Sequence, residues 1–348
     1  FGEYNRYPDS TQKKLKEKLS ELKNINTENL FIGNGSDELI DLIIKAFCEP
    51  KKDEILVMNP SFVMYSFYAK INDNKVNALE LDENFQIKKG DFLQKIQNEN
   101  LKVLFLCSPN NPTGNELVDL EFFIKNFLGI VVLDEAYIEF SSRKSAISWL
   151  AKYPNLIVLQ TLSKAYGMAG LRIGIGAAST EIATLMNTIK GPYNVNSLSQ
   201  KIALEQLNDG KVFKENLEQI LAEREFLKVQ LNQLDFVKKI YHTEANFFLI
   251  KVENPIEIYE FLLAQNILTS LRHPQIENAL RINVGSKEEN QKLIETLKNY
   301  KNFKDEITID FENIAGYQFN ADCLSEGIIG KMLIYGRNAT GKTNLGRA

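Results

Sequence analysis

The sequence predicts an α/β protein: a large domain with a mostly parallel central sheet flanked by helices, then a smaller α+β C-terminal domain. Two observations carry this. First, the short apolar runs at 103–106 (VLFL), 130–133 (IVVL) and 156–159 (LIVL) each end in a loop rich in Gly, Pro, Asn, Asp or hydroxyl residues. Strands buried on both faces read as continuous apolar runs, and their carboxyl-end loops carry polar groups. Second, a long amphipathic stretch at 211–234 lines up Phe213, Leu217, Ile220, Leu221, Leu227 and Leu231 before a series of shorter runs. The domain boundaries expected from this pattern are 1–24 for an N-terminal segment, 25–210 for the large domain, 211–302 for the connecting helix and small domain, and 303–348 for a separate tail.

Taken in order, 11–23 carries Leu15, Leu19 and Leu22 at helical spacing. A short apolar run at 30–32 leads into GNGSDE at 33–38, where Ser36 or Asp37 suits the cap of a helix reaching about residue 47. A glycine-rich turn at a helix N-terminus also suits an anion, although a plain capped helix is as common a use of it. Residues 54–58 read as a strand, with Asn59 and Pro60 turning into a helix that carries Tyr65. The strands at 103–106 and 130–133 end in SPNNPTG (108–114) and DEAY (134–137). Past the strand at 173–177, the small domain is expected to have strands at 236–237, 247–250, 267–268 and 280–284, with helices at 255–265 and 286–299.

The most unusual stretch is 161–174, TLSKAYGMAGLRIG, directly after the strand at 156–159. Most lysines are solvated surface groups. Lys164 instead sits at a strand end among small, apolar and hydroxyl neighbours. That layout suits covalent capture of a phosphorylated aldehyde cofactor, with Lys164 bonding the aldehyde and Thr161, Ser163 and Arg172 holding the phosphate.

This segment resembles the lysine motif of fold-type-I pyridoxal-phosphate aminotransferases, and is most similar to the histidinol-phosphate aminotransferase family. RYPD at 6–9, PNNPTG at 109–114 and LRINVG at 280–285 extend the resemblance over about residues 1–302. It implies a pyridoxal 5'-phosphate enzyme of histidine biosynthesis that exchanges the amino group between L-histidinol phosphate and 2-oxoglutarate. Asp134 would pair with the ring nitrogen, Asn111 and Tyr137 with the phenolic oxygen, and Tyr65 would stack on the ring. Gly35, Ser36 and Asp37 would give backbone donors to the phosphate, and in a homodimer Tyr7 would reach the partner subunit's cofactor. Arg281, Arg272 and Asn111 would meet the substrate. The family has a segment ahead of RYPD that helps close the site, so a chain opening at Phe1 reads as truncated, with impaired turnover expected. An aromatic aminotransferase or an amino-acid phosphate decarboxylase of the same fold shares much of this pattern.

Composition is ordinary for an enzyme, with 44% hydrophobic and 25% charged residues. A net charge of −4 and a pI near 5.6 argue against nucleic acid or an anionic membrane as partner. Cys48, Cys107 and Cys323 lack metal or redox spacing, and His242 and His273 lack triad or metal partners in sequence; no metal is expected, and a cytoplasmic setting fits. There is no G-x-S-x-G elbow and no early G-x-G-x-x-G. The tail carries a full phosphate-loop pattern, GRNATGKT at 336–343, and resembles the start of a P-loop ATPase. Only five residues follow Thr343, so it reads as a foreign or vestigial fragment. A P-loop nucleotide-binding protein is the reading of a different class.

Overall fold

The structure, a computed structural model, describes residues 5–306. The expected tail at 303–348 and its phosphate loop lie almost wholly outside the described residues. The chain divides into two compact units, Phe1–Ala222 with Tyr241–Phe248, and Glu223–Ile240 with Leu249 onward. The division therefore falls inside the long helix that begins at Gly210, and residues 1–24 group with the first unit.

The first unit runs α1 (Lys13–Lys23), β1 (Leu30–Asn34), α2 (Gly35–Phe47), β2 (Glu54–Asn59), α3 (Met64–Ile71), β3 (Lys75–Glu80), α4 (Lys89–Lys95), β4 (Leu101–Cys107), α5 (Leu120–Asn126), β5 (Ile130–Asp134), β6 (Leu156–Thr161), β7 (Ile173–Ala177), α6 (Thr180–Ile189) and α7 (Ser197–Leu207). Its seven strands form one sheet in the order β1-β7-β6-β5-β4-β2-β3, parallel except that β7 runs against both its neighbours. Period-two alternation splits each central strand between two cores. Leu104, Leu106, Val131, Leu133, Leu156 and Val158 join the core that holds Leu15 and Leu19 of α1. Val103, Phe105, Val132, Ile157 and Leu159 join the core under Leu39, Ile40, Ile43 and Ile44 of α2. Both faces are covered, which is why these strands read as unbroken apolar runs.

α8 (Gly210–Leu231) follows, with Phe213, Leu217, Ile220 and Leu221 packed on Tyr137, Phe140, Ala165 and Phe247. The second unit contains β8 (Val237–Ile240), β9 (Phe247–Val252, from Leu249 onward), α9 (Pro255–Ala264), β10 (Ser270–Leu271), β11 (Ala279–Asn283) and α10 (Lys287–Glu306), with strands in the order β10-β11-β9-β8. Among the described residues no helix is long and apolar enough to cross a membrane.

Several expectations about elements are corrected. Residues 267–268 are not a strand: the Ile267 N–H donates back to the Leu262 carbonyl and Asn266 turns left-handed at φ 58°, so this stretch closes α9. The strand lies at Ser270–Leu271 instead. At the start of α2, neither Ser36 nor Asp37 caps. The helix begins earlier, at Gly35, and the Glu38 carboxylate accepts the Asn34 N–H.

Candidate active site

The topology gathers the expected groups on one edge of the first sheet. β4, β5 and β6 are parallel neighbours in register, with Cys107 beside Asp134 and Asp134 beside Leu159. Their carboxyl ends, and the loops that follow, therefore emerge together. β7 runs the other way, so its start, just after Arg172, lies at this edge, where Gly174 pairs with Thr161. β1 also ends here, with Asn34 opposite Ile173, and delivers the first turn of α2. An open cavity results. Lys164, Ser163, Thr161 and Arg172 line it, as do Asp134, Tyr137, Asn111, Ser36 and Asp37.

The lysine loop is shaped by short backbone bonds. The Leu162 N–H donates to the Ile173 carbonyl, Met168 N–H to Leu162, and Gly167 N–H to Lys164. The Thr161 hydroxyl donates to the Ile173 carbonyl at 3.1 Å and accepts the Ser163 N–H at 3.0 Å. Tyr166 anchors the far side by stacking on Phe213, with centroids 4.3 Å apart. Lys164 is left solvent-exposed on the cavity wall, its Nζ 5.4 Å from the centroid of the Tyr137 ring.

The other end of the cavity suits an anion. Arg172 sits in the left-handed region at φ 54°, and its carbonyl accepts the Gly35 N–H at 2.9 Å. Its guanidinium meets Asp37 only at 3.4 Å and is half exposed. Gly35 is left-handed at φ 79°, and a Cβ there would lie 2.4 Å from Arg172 Nη2. A Cβ on Gly174 would lie 2.4 Å from both the Gly35 carbonyl carbon and the Ser36 nitrogen. These two glycines let the N-terminus of α2 close onto β7. First-turn amides of a helix have no intrahelical acceptor and carry partial positive charge. Beside Arg172, Thr161 and Ser163 they make a donor set that fits a phosphate dianion.

At the opposite end Asp134 is 3% exposed. Its Oδ1 accepts the Ala136 N–H at 3.0 Å and its Oδ2 accepts the Tyr65 hydroxyl at 2.6 Å. Burial pushes its carboxyl above the usual range, against the lowering effects of Tyr65, Ala136 and the Lys164 charge. A buried carboxylate at one end, a phosphate cradle at the other and a lysine between them fit a pyridoxal-phosphate-sized group.

One expected role changes. Tyr65 does not present a ring face to the cavity: it is 1% exposed, stacked on Phe105 at 4.7 Å. Beside Tyr137, the other aromatic ring on the lining is Phe62, which sequence reasoning missed, as it missed Cys107 and Ala136. The signal was available, since Phe62 precedes the first helical residue, Met64, and so belongs to the loop at the end of β2. Tyr65 is the second residue of α3, on its inward face. Tyr7 does not line the cavity; it is 80% exposed and stacks on Tyr193 at 4.5 Å. Arg281 is half-buried on β11, and the Arg272 N–H, just after β10, donates to the Ala279 carbonyl at 2.9 Å, both in the second unit. Among the described residues no group of three His, Cys, Asp or Glu could hold a metal ion.

Comparison with known proteins agrees with this geometry. The family profile described as "Aminotransferase class I and II" matches residues 1–297. The chain is 47% identical over 298 residues to a histidinol-phosphate aminotransferase of Flavobacterium psychrophilum, covering 84% of this chain and 86% of that protein. It is 45% identical over 302 residues to that of Parabacteroides distasonis, covering 86% and 87%. The crystal structure of the histidinol-phosphate aminotransferase from Clostridium acetobutylicum superposes with a TM-score of 0.79 at 27% identity, covering 86% of this chain and 91% of that one. With the lysine, the buried carboxylate and the phosphate cradle on one sheet edge, the chain belongs to the pyridoxal-phosphate-dependent class I and II aminotransferases and, within them, to the histidinol-phosphate aminotransferase family.

Proposed function

We propose that this chain transfers the amino group of L-histidinol phosphate to 2-oxoglutarate, with pyridoxal 5'-phosphate held on Lys164. The observation that carries the reading is the convergence of Lys164, buried Asp134 and the Arg172–α2 cradle on one cavity. The identity of 45–47% to two histidinol-phosphate aminotransferases supports the choice of amino donor. When bound, the cofactor supplies an electron-poor ring that makes the donor's α-proton removable. Lys164 Nζ, freed when the incoming amino donor displaces it from the cofactor, would take that proton and return it, as a general base poised in the cavity wall. Asp134, as the anion, accepts the hydrogen bond of a protonated ring nitrogen. Asn111 and Tyr137 donate to the phenolic oxygen, and Phe62 covers the ring. Ser36, Asp37, Thr161, Ser163 and Arg172 hold the phosphate, with Gly35 keeping the space for Arg172. Arg281 and Arg272 take the anionic groups of the substrates.

The same reading makes the working unit a homodimer in which Tyr7 reaches the partner subunit's cofactor phosphate. The exposed Tyr7 ring, braced on Tyr193, supports an outward reach. The cytoplasm is the proposed compartment, in keeping with Cys48 and Cys107 as buried free thiols. The test is to incubate the cofactor-loaded chain with both substrates and measure glutamate. Glutamate formation that requires both substrates is expected. Its absence in a chain that carries covalent cofactor would refute the substrate assignment, and release of carbon dioxide from a phosphorylated amino acid would favour the decarboxylase instead.

A further inference from the structure

We infer that Tyr65 is a positioning residue for the proposed transamination: its hydroxyl holds Asp134 as an oriented anion, and its ring sets the tilt of Phe62. The inference rests on the cofactor reading above but concerns a residue that touches neither cofactor nor substrate. Tyr65 is fully buried on the inward face of α3. It stacks on Phe105 with the rings 13° from parallel, and meets Phe62 edge-on at 5.5 Å and 83°. For those two contacts a phenylalanine would serve equally well. A hydroxyl taken into a core costs free energy unless it is paired. Here it donates to Asp134 Oδ2 at 2.6 Å.

The surroundings of Asp134 show what that bond does. Burial and the Asp37 charge favour its protonated form; Tyr65, the Ala136 N–H and the Lys164 charge favour the anion, and Tyr65 has the largest effect of these three. The Cys107 thiol, which also interacts with the Tyr65 hydroxyl, is pushed well above its ordinary range by burial and stays neutral. The proton shared between Asp134 and a ring nitrogen stays on the nitrogen only while the carboxylate is the weaker base. Removing the Tyr65 bond makes the carboxylate a stronger base, and the proton moves toward Asp134. The ring then draws electrons less well, although every residue that touches it is still present.

The experiment compares wild type, Tyr65→Phe, Asp134→Asn and the double variant as holoproteins loaded with pyridoxal phosphate labelled with ¹⁵N in the ring. In wild type the ring ¹⁵N resonance should report a protonated nitrogen. In Tyr65→Phe it should move toward the neutral value, with the pH at which the ring loses its proton falling by about one pH unit. kcat should drop about 10- to 100-fold, while KM for the amino donor stays within about twofold. In the Asp134→Asn background the same change should cost little more, because Tyr65 acts through the carboxylate. The melting temperature of each variant separates this from loss of fold. An unmoved ¹⁵N resonance in Tyr65→Phe, or equal kcat losses with and without Asp134, would overturn the Tyr65 inference alone. A wild-type chain that forms no covalent cofactor adduct would overturn the functional reading beneath it.

Discussion

Gly174→Ala tests the phosphate cradle without touching any side chain. The backbone of Gly174 lies outside the left-handed region, so alanine is conformationally acceptable and the penalty comes from contact alone. The new Cβ would sit 2.4 Å from the Ser36 nitrogen and the Gly35 carbonyl carbon, where ordinary contact begins near 3.4 Å. Both are backbone atoms and have no rotamer in which to escape, so the first turn of α2 must retreat by about 1 Å. A hydrogen bond of about 2.9 Å lengthened by that amount is no longer one. Losing one bond to a charged phosphate costs about 1.5–3 kcal/mol, which weakens cofactor binding about 10- to 100-fold. The overpacking also costs about 1–3 kcal/mol of stability. Titration of the apo chain with pyridoxal phosphate, followed by absorbance, gives the first quantity, and thermal melting gives the second. Gly170→Ala is the control, since its Cβ would meet nothing within 4 Å. Cofactor affinity in Gly174→Ala within twofold of the control would refute the cradle.

Three other outcomes are expected. Asp134→Asn should lower kcat at least a hundredfold, about 3 kcal/mol of transition-state stabilisation, in steady-state assays. Phe62→Ala should weaken cofactor binding about tenfold by removing the ring that lines the cavity, whereas an unchanged titration would return the stacking role to another residue. Lys16 is held down to about 8 by burial and then by the charge of Lys190. A lysine depressed in the folded state binds fewer protons there than when unfolded between about pH 8 and 10.5, so its penalty is full below pH 8 and fades above it. Lys16→Met should therefore raise the melting temperature at pH 7, with a gain that shrinks toward pH 10.

What was legible in the sequence follows the range of the physical signals. Lys164, Asp134, Asn111 and Arg172 sit within a few residues of strand ends, and the strands announced themselves as apolar runs; sheet topology then brought those ends together. Phe62 and Tyr65 were confused because their directions depend on where α3 begins, and a one-turn difference decides which ring faces the cavity. β3 went unread because it is an edge strand with one buried residue, Leu79, and a pattern that polar turns share. The helix start at Gly35 was missed because local capping chemistry favours Ser36 or Asp37. The helix is instead set by the long-range bond from Gly35 N–H to the Arg172 carbonyl.

The central claim is that Lys164 carries the cofactor. It is tested most directly by loading the chain with pyridoxal phosphate, reducing with borohydride, and mapping the modified peptide by mass spectrometry. The expected result is one added phosphopyridoxyl group, on the peptide containing Lys164, and none in Lys164→Ala. An unmodified Lys164 peptide, or the same adduct on another lysine in both proteins, would contradict it.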